Sequence, residues 1–590
     1  MCRTALRAGL APTFFFQDWH TPTFAVLALT TMLSLAGVAA AQTVPRPDAQ
    51  LNGETRDDGF GSAIEAAGDV NDDGFIDYIA SAPGDDDVAE GSGEVYIFYG
   101  PLTRDRQAGS ADASITGEEI VDDFGSDVAS AGDVNGDGVD DIVIGARSTD
   151  TAGIQAGRAY VFYGPVAGSH SALDADAIIS GDDFDELGWS VAPAGDVNGD
   201  GFDDILVGAW MADLRGQAHL FLGPVEGQLN VADAAATVSG VLFSEELGYD
   251  VAAGDLNDDG VPDLILGAPR PPLNGNGTGR AYVFFGPVTG SMPATDADAI
   301  IVGDGLNDEL GTSVAAGDLN DDGAADLVVG AHQLFVQNAQ GKAYVFYGPL
   351  RGVISAATAD AILVGEDFPT ENGLFGESVA VLGDSDGDGV GDLLVGAPFA
   401  EAGAIRTGRA YVFHGPLFGT IPAAGADRII TGSEFDLLGS VVAAAGDNDG
   451  DGLADAFVGA PQFFGENGIG FAGLYAGQGV APSGLEIAVT PIDPPVVIPA
   501  SGGTVRLRIA VVNNAAVAVD FDLWTELERP DGRVRTSSPL HLTLDAGATL
   551  TRTVQRRISA DAPPGGYTLR GLVGAFPIAD DVDAFTFVKE

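Results

Sequence analysis

Short apolar runs, each bounded by Gly or Asp, follow one another from about residue 48 to 479 with no helical period among them. Residues 124–181 show the grammar. Phe124-Gly125 leads into a run through Val128, an acidic loop spans Asp133 to Asp141, and Ile142-Val143-Ile144-Gly145-Ala146 follows. After a variable stretch come Gly157-Arg158-Ala159-Tyr160-Val161-Phe162-Tyr163-Gly164 and then Ala177-Ile178-Ile179-Ser180-Gly181. These runs predict four short β-strands per unit. The acidic loop is a nonapeptide, Asp-x-Asn/Asp-x-Asp-Gly-x-x-Asp, that starts at Asp69, Asp133, Asp196, Asp255, Asp318, Asp384 and Asp447. Its intervals are 64, 63, 59, 63, 66 and 63 residues. A self-similar unit at this period, with four strands in it, predicts an all-β fold: a seven-bladed β-propeller over residues 48–479. A β-solenoid uses shorter repeats, and independent domains need larger ones to bury a core.

The ends of the repeat region supply a closure argument. Units one to six end in a fourth run closed by Gly117, Gly181, Gly240, Gly303, Gly365 and Gly432, whereas the seventh stops after Gly473-Leu474-Tyr475-Ala476-Gly477. Gln50-Leu51-Asn52-Gly53 stands before the first unit, with Gly53 as far from Gly61 as Gly117 is from Gly125. This orphan strand fits the vacancy in the last blade, and pairing the two removes both exposed edges.

Beyond Gly479 the repeat ends. Pro482, Pro491, Pro494 and Pro495 mark a linker at 480–484 and an edge. Alternating runs such as Val505-Arg506-Leu507-Arg508-Ile509 and Val519-Asp520-Phe521-Asp522-Leu523 predict an immunoglobulin-like β-sandwich over 485–590, with a hairpin at Asp531-Gly532.

Residues 1–41 read as an export signal: Arg3 and Arg7 at the start, an apolar run from Phe24 to Val38, and Ala39-Ala40-Ala41 before Gln42. Cys2, the one cysteine, lies in that signal, so the expected mature chain has no disulfide, no second long apolar stretch and a secreted or cell-surface location. The formal net charge of −61 makes nucleic acid and anionic membranes poor partners and calcium a good one.

The position of the acids supports this. Calcium takes six to eight oxygens from carboxylates, amides and backbone carbonyls. Side-chain oxygens come from loop positions one, three, five and nine: Asp69, Asn71, Asp73 and Asp77 in the first loop; Asp133, Asn135, Asp137 and Asp141 in the second; and Asp196, Asn198, Asp200 and Asp204 in the third. The later loops supply Asp255, Asn257, Asp259 and Asp263; Asp318, Asn320, Asp322 and Asp326; Asp384, Asp386, Asp388 and Asp392; and Asp447, Asp449, Asp451 and Asp455. Gly at position six permits the sharp turn. An EF-hand needs Glu at position twelve, where this chain has Ala80, Ile144, Val207, Leu266, Val329, Val395 and Val458. Two carboxylates at ~4 Å repel by about 4 kcal/mol at an effective dielectric of ~20. An ion-free loop therefore opposes folding, and up to seven Ca²⁺ ions, one per blade, are expected.

The sequence resembles the FG-GAP repeats of the integrin α-subunit head and of related bacterial exported proteins. The FG element stands at Phe60-Gly61, Phe124-Gly125 and Phe375-Gly376, with Leu-Gly at Leu187, Leu247, Leu310 and Leu438. The GAP element stands at Gly267-Ala268-Pro269, Gly396-Ala397-Pro398 and Gly459-Ala460-Pro461. Variants lie at Ser81-Ala82-Pro83, Gly145-Ala146-Arg147, Gly208-Ala209-Trp210 and Gly330-Ala331-His332. The resemblance implies a seven-bladed propeller with calcium in hairpin loops on one face. This chain departs from it in placing a full acidic loop in every unit.

Other motifs carry no chemistry. Gly383-Asp384-Ser385-Asp386-Gly387 matches a nucleophile elbow but lies inside the sixth acidic loop, and Gly468 to Gly473 matches a dinucleotide fingerprint but enters a strand. His170, His219, His332, His414 and His541 stand singly. The leading expectation is an extracellular binding or adhesion module, not an enzyme. Its unidentified protein or polysaccharide ligand is expected at the end opposite the calcium loops, where Pro269 to Thr278, Pro398 to Thr407 and Trp210 are candidates, with packing between blades an equal alternative for Trp210. The alternatives are a polysaccharide lyase or hydrolase on a propeller scaffold, and a structural surface or matrix component.

Overall fold

The computed structural model describes residues 47–590 apart from 57, 87, 271–277, 306, 334–339, 369–372, 402–405, 463–468, 479–484, 492–496, 502, 514–518, 531–533, 538–539, 545–547, 560–561, 575–580 and 590. The expected export signal, the 480–484 linker, the Asp531-Gly532 hairpin, most of Pro269 to Thr278 and part of Pro398 to Thr407 lie outside the described residues.

Each repeat unit folds into one antiparallel sheet, and seven such sheets form the propeller. Blade two is typical. Its strands are Phe124–Gly132, Asp141–Ala146, Arg158–Phe162 and Ala177–Ser180, paired in that order. The second strand is buried along its whole length in every blade, as in Asp141–Ala146 and Asp263–Ala268. This is why these runs read as continuous Val, Ile and Leu and not as an alternation.

Hydrophobic burial lies between neighbouring blades. Val70, Ile79 and Ile97 of blade one share a cluster with Phe124, Ile142 and Ile144 of blade two. Equivalent clusters join every further pair, including blades six and seven. The last links blade seven to blade one through Phe457 and Leu474 against Ile64 and Tyr78. A hydrogen-bond belt runs along the innermost strands. Val191 donates to Asp127 (2.8 Å), Val314 to Asp250 (2.6 Å), Val379 to Ser313 (3.1 Å) and Val442 to Ser378 (3.0 Å), each about one repeat away.

Closure is as the ends of the repeat region predict. Ala49–Asn52 pairs antiparallel with Phe471–Tyr475, with Leu51 opposite Ala472, and becomes the fourth strand of blade seven. Ala49 and Leu51 are completely buried there.

One feature goes beyond the expected four strands. In six blades a fifth, parallel strand comes from the following unit, as Gly168–Ser171 of unit two does for Ala113–Thr116 of blade one. It then turns through a short 3₁₀ helix whose first Ala is buried in most units, as at Ala172 and Ala294.

The C-terminal residues form a three-stranded sheet, in the order Leu485–Pro491, Gly503–Asn513 and Thr549–Ile558, and a six-stranded sheet that includes Val519–Glu528, Gly565–Gly574 and Asp581–Lys589. Val505, Leu507, Ile509 and Val511 of the first share one core with Leu523, Leu569 and Phe587 of the second.

Candidate metal centre

Each acidic nonapeptide is the hairpin between the first and second strands of its blade. Position six is Gly at φ between 84° and 92° in all seven loops, and no atom approaches within 4 Å of where its Cβ would stand. Backbone conformation alone therefore dictates glycine there. The position-one carboxylate draws the loop around itself. In the second loop Gly136 and Asp137 donate to one oxygen of Asp133 at 2.7 and 2.9 Å, and Gly138 donates to the other at 2.9 Å. The seventh loop repeats this around Asp447. Position five accepts from the N–H of position seven, as Asp137 does from Val139 at 3.0 Å.

The position-nine Asp is the first residue of the second strand, and it is buried in every blade. One carboxylate oxygen takes the N–H of position two. The other takes the N–H of a glycine just past the third strand. For Asp141 these are Val134 at 3.0 Å and Gly164 at 2.8 Å, and for Asp455 Asn448 at 3.0 Å and Gly477 at 2.7 Å. Burial pushes these carboxyls up against the lowering effect of the backbone bonds: Asp77, Asp204, Asp263, Asp326 and Asp455 to about 6 and Asp141 to about 7.

Position three separates the loops into two kinds. In loops six and seven it is Asp, and Asp384, Asp386 and Asp388, like Asp447, Asp449 and Asp451, bring carboxylate oxygens within 4.8 Å of one another. In four of the other loops the Asn amide donates to position nine, as Asn257 does to Asp263 at 3.0 Å. Hard, anionic oxygens converging at this spacing are the donor set that a divalent cation of calcium size takes.

The loops are also tied to one another. Asp140, at position eight of loop two, accepts from the N–H of Asp69 at 2.7 Å, and Asp203 does the same for Asp133 at 2.9 Å. Ala325 and Ala454 donate to the carbonyls of Asp255 and Asp384 at 2.9 and 2.7 Å. The position-one residue of a loop is thus held by the neighbouring blade.

The opposite end of the blades, where the second strands finish, carries a different chemistry. Arg147 pairs with Asp123 at 3.0 Å and lies 4.6 Å over the ring of Trp189. Trp189 is 4.7 Å from Trp210 and 5.2 Å from Tyr249. The Trp210 indole N–H donates to Glu186 at 2.8 Å. Trp210 is therefore half-buried and packed across blades, the second of the two roles the sequence left open for it, because neighbouring repeats place three large rings side by side. His332 is buried between Glu309 at 3.0 Å and Glu377. Burial alone would lower its pKa, but the Glu377 and Glu309 carboxylates outweigh it and push the imidazole up to about 10.

The remaining histidines and motif residues fall elsewhere. His219 is buried beside Thr237, and His414 pairs with Asp386 at 2.9 Å next to loop six. The Ser385 hydroxyl donates to Asp392, the buried position-nine carboxylate of its own loop. Isolated histidines gave no sequence signal for these pairings, since Glu309, Glu377 and Asp386 each lie 23 or more residues from their histidine in the chain.

Residues 124–162, 187–221, 247–284, 310–346 and 375–413 match the FG-GAP repeat model. The chain is 30% identical over 278 residues to integrin alpha-5 of Xenopus laevis, covering 45% of this chain and 23% of that protein. It is 33% identical over 235 residues to integrin alpha pat-2 of Caenorhabditis briggsae, covering 36% and 18%. It is 29% identical over 209 residues to phosphatidylinositol-glycan-specific phospholipase D of Bos taurus, covering 34% and 24%. The matched region spans less than a quarter of each of these relatives. The chain carries FG-GAP repeats in an integrin α-like, seven-bladed propeller.

Proposed function

We propose that this FG-GAP propeller is an extracellular binding or adhesion module whose seven acidic hairpins each hold one calcium ion. The observation that carries the reading is the recurrence of one oxygen-rich hairpin in every blade. Its position-one carboxylate is drawn in by backbone amides, and its position-nine carboxylate is buried at the root of the strand. Ligands come from the carboxylates of positions one, five and nine, the Asn or Asp of position three, and the backbone carbonyl of position seven. Calcium bound there neutralises acids that otherwise repel by a few kcal/mol per close pair. It also stiffens loops whose position-one residues are bonded to the next blade.

Likeness to integrin α chains supports binding over catalysis and a place outside the cell. No described helix is long and apolar enough to cross a membrane. The ligand surface is assigned to the end opposite the calcium loops, around Arg147, Trp210 and Glu186. There a packed aromatic core is flanked by charged groups, the mix that recognition surfaces use.

Elemental analysis of the purified chain should find seven calcium ions per molecule, and EGTA should lower the melting temperature far more than an ionic-strength control does. A matrix-protein and polysaccharide array with and without calcium, run beside a turnover assay, then tests the binding role. Saturable binding without turnover supports the module. Turnover of any glycan or of a phosphatidylinositol glycan replaces it with an enzyme.

A further inference from the structure

Where the third strand of a blade begins, four of the seven units seat a cation against the neighbouring blade. Arg158, Arg280, Lys342 and Arg409 hold the same register position, opposite the last Ala of the second strand. Each pairs with a carboxylate from the stretch that follows the preceding blade's fourth strand: Glu118 at 3.3 Å, Glu245 at 3.4 Å, Asp304 at 2.8 Å and Glu366 at 2.5 Å. A tyrosine two residues further on shares that carboxylate, as Tyr160 does with Glu118 and Tyr344 with Asp304, both at 3.0 Å. Across the strand pair the tyrosine faces Ile178, Ile300, Ile362 or Ile429, which pack into the blade interfaces. Unit three, with Gln217 and His219, has neither the cation nor the tyrosine.

Blade one keeps the tyrosine and reverses the charge. Tyr96 is in place, but the cation position is Glu94, only 7% exposed, and the Tyr96 hydroxyl donates to it at 3.0 Å. Glu54, directly after the Gly53 that ends the closing strand, is the counterpart of Glu118. The residue facing Tyr96 is Ser114, where the four sister blades have Ile. Gly109 makes room for the acid, since a side chain there would collide with the Glu54 carboxylate. With these changes comes a cavity of about 210 Å³, bounded by Glu54, Glu94, Tyr96 and Ser114 and open to solvent beside Gly168 and Ser169. No Lys, Arg or His is among the described residues of its wall, and Arg106 nearby is held by Asp112 at 2.6 Å. Burial first, and then the carboxylates of Glu94, Asp85 and Glu54, push the Tyr96 phenol above its ordinary range.

We propose that this cavity binds a guanidinium or alkylammonium group, which takes the place that the chain's own Arg or Lys fills in the sister blades. Those blades define the ligand chemistry, because their cation meets a carboxylate and a tyrosine oxygen together. Lys342 Nζ lies 2.8 Å from Asp304 and 3.0 Å from the Tyr344 hydroxyl, and Arg280 lies 3.1 Å from the Tyr282 hydroxyl. In blade one Glu54 and Glu94 offer charge-assisted bonds to such a group, and the buried Glu94 carboxylate gains most from a counter-charge. The cation comes either from a free small molecule or from an Arg or Lys side chain of a partner protein. The site lies between the closing strand and blade one. It rests neither on the calcium loops nor on the ligand surface proposed above.

Two probes test this by isothermal titration calorimetry on the full chain, in physiological salt and millimolar calcium so that the acidic loops are filled. One is agmatine, which carries a guanidinium and an ammonium, and the other is a terminally blocked Gly-Arg-Gly peptide. Expected is saturable binding of one probe per chain. Tighter binding of agmatine identifies a free small cation as the ligand, and binding of the peptide at least as tight identifies a protein side chain. Glu94→Arg rebuilds the sister arrangement and should abolish binding, whereas Glu94→Gln should weaken it about tenfold. Ser114→Ile, which fills the cavity with the sister residue, should also weaken it about tenfold, and it decides the matter if the Glu94→Arg chain does not fold. Absence of saturable binding by either probe overturns the proposal, as does binding unchanged in these variants. So does displacement of the probe by excess calcium together with one calcium ion fewer in the Glu94→Gln chain, since the seat would then belong to a metal.

Discussion

At the scale of single residues, the position-nine Asp has a structural duty beside the ligand role proposed for it. Asp141 holds two backbone amides, one from its own loop and one from Gly164, 23 residues on, so it fixes the third strand against the hairpin with or without an ion. Asp141→Ala leaves both buried N–H groups unpaired and should cost about 2–4 kcal/mol in calcium-free urea denaturation, whereas Asp141→Asn, which keeps an acceptor, should cost less. The candidate ligand oxygens were legible in the sequence because the loop is local. This second duty was not, because Gly164 looks like any turn glycine until the strands pair. His332 gives a pH test. Its folded pKa of about 10 lies above the ordinary 6.5, so the stability it contributes is full below pH 6.5 and is lost as pH rises through about 10. Denaturation midpoints of the native chain should therefore fall over that window more than those of His332→Gln.

At the scale of elements, the hairpin and the fifth strand stand at opposite ends of legibility. The nonapeptide declares itself, since Gly at position six and alternating acids occur in a fixed order. The fifth strand is hidden, because Gly168–Ser171 is too short and too polar to read as a strand and it pairs only with the preceding unit. The recurrent Gly-Pro-Leu/Val that leads into it was its one sequence trace. The hairpins make a prediction of their own. Without an ion, burial raises most position-nine carboxyls to between about 6 and about 7, against an ordinary 3.8. Stability held by their protonated forms is thus complete below pH 3.8 and lost as pH rises towards 7. In EGTA the melting temperature should fall between pH 4 and pH 7. In millimolar calcium the fall should vanish or reverse, because the cation takes over from the proton. Parallel melts across that range check this.

At the scale of the whole molecule, stability is shared among seven interfaces between blades, and the one between blades seven and one exists only once the ring has closed. The repeat period and the two unmatched ends gave the blade number and the closing pair in advance. The C-terminal sheets were legible only as alternating strands, because nothing in their sequence repeats to fix an order. Leu51, completely buried in the closing strand, is the point of greatest leverage. Leu51→Asp places an unpaired charge in the cluster that joins blades seven and one, and should cost roughly 3–5 kcal/mol and expose both sheet edges. Calorimetry together with light scattering would register the lower transition and the resulting self-association.

The strand that seals the circle is among the first parts of the propeller to be synthesised, and its mate at Phe471–Tyr475 is among the last. The ring cannot close until Phe471–Tyr475 has left the ribosome. Blades can assemble in turn as they emerge, but Ala49–Asn52 must wait, uncovered, through more than 400 further residues, and the entropy of joining such distant ends is met in a single late step. The last event in building the propeller is therefore the docking of one of its oldest segments.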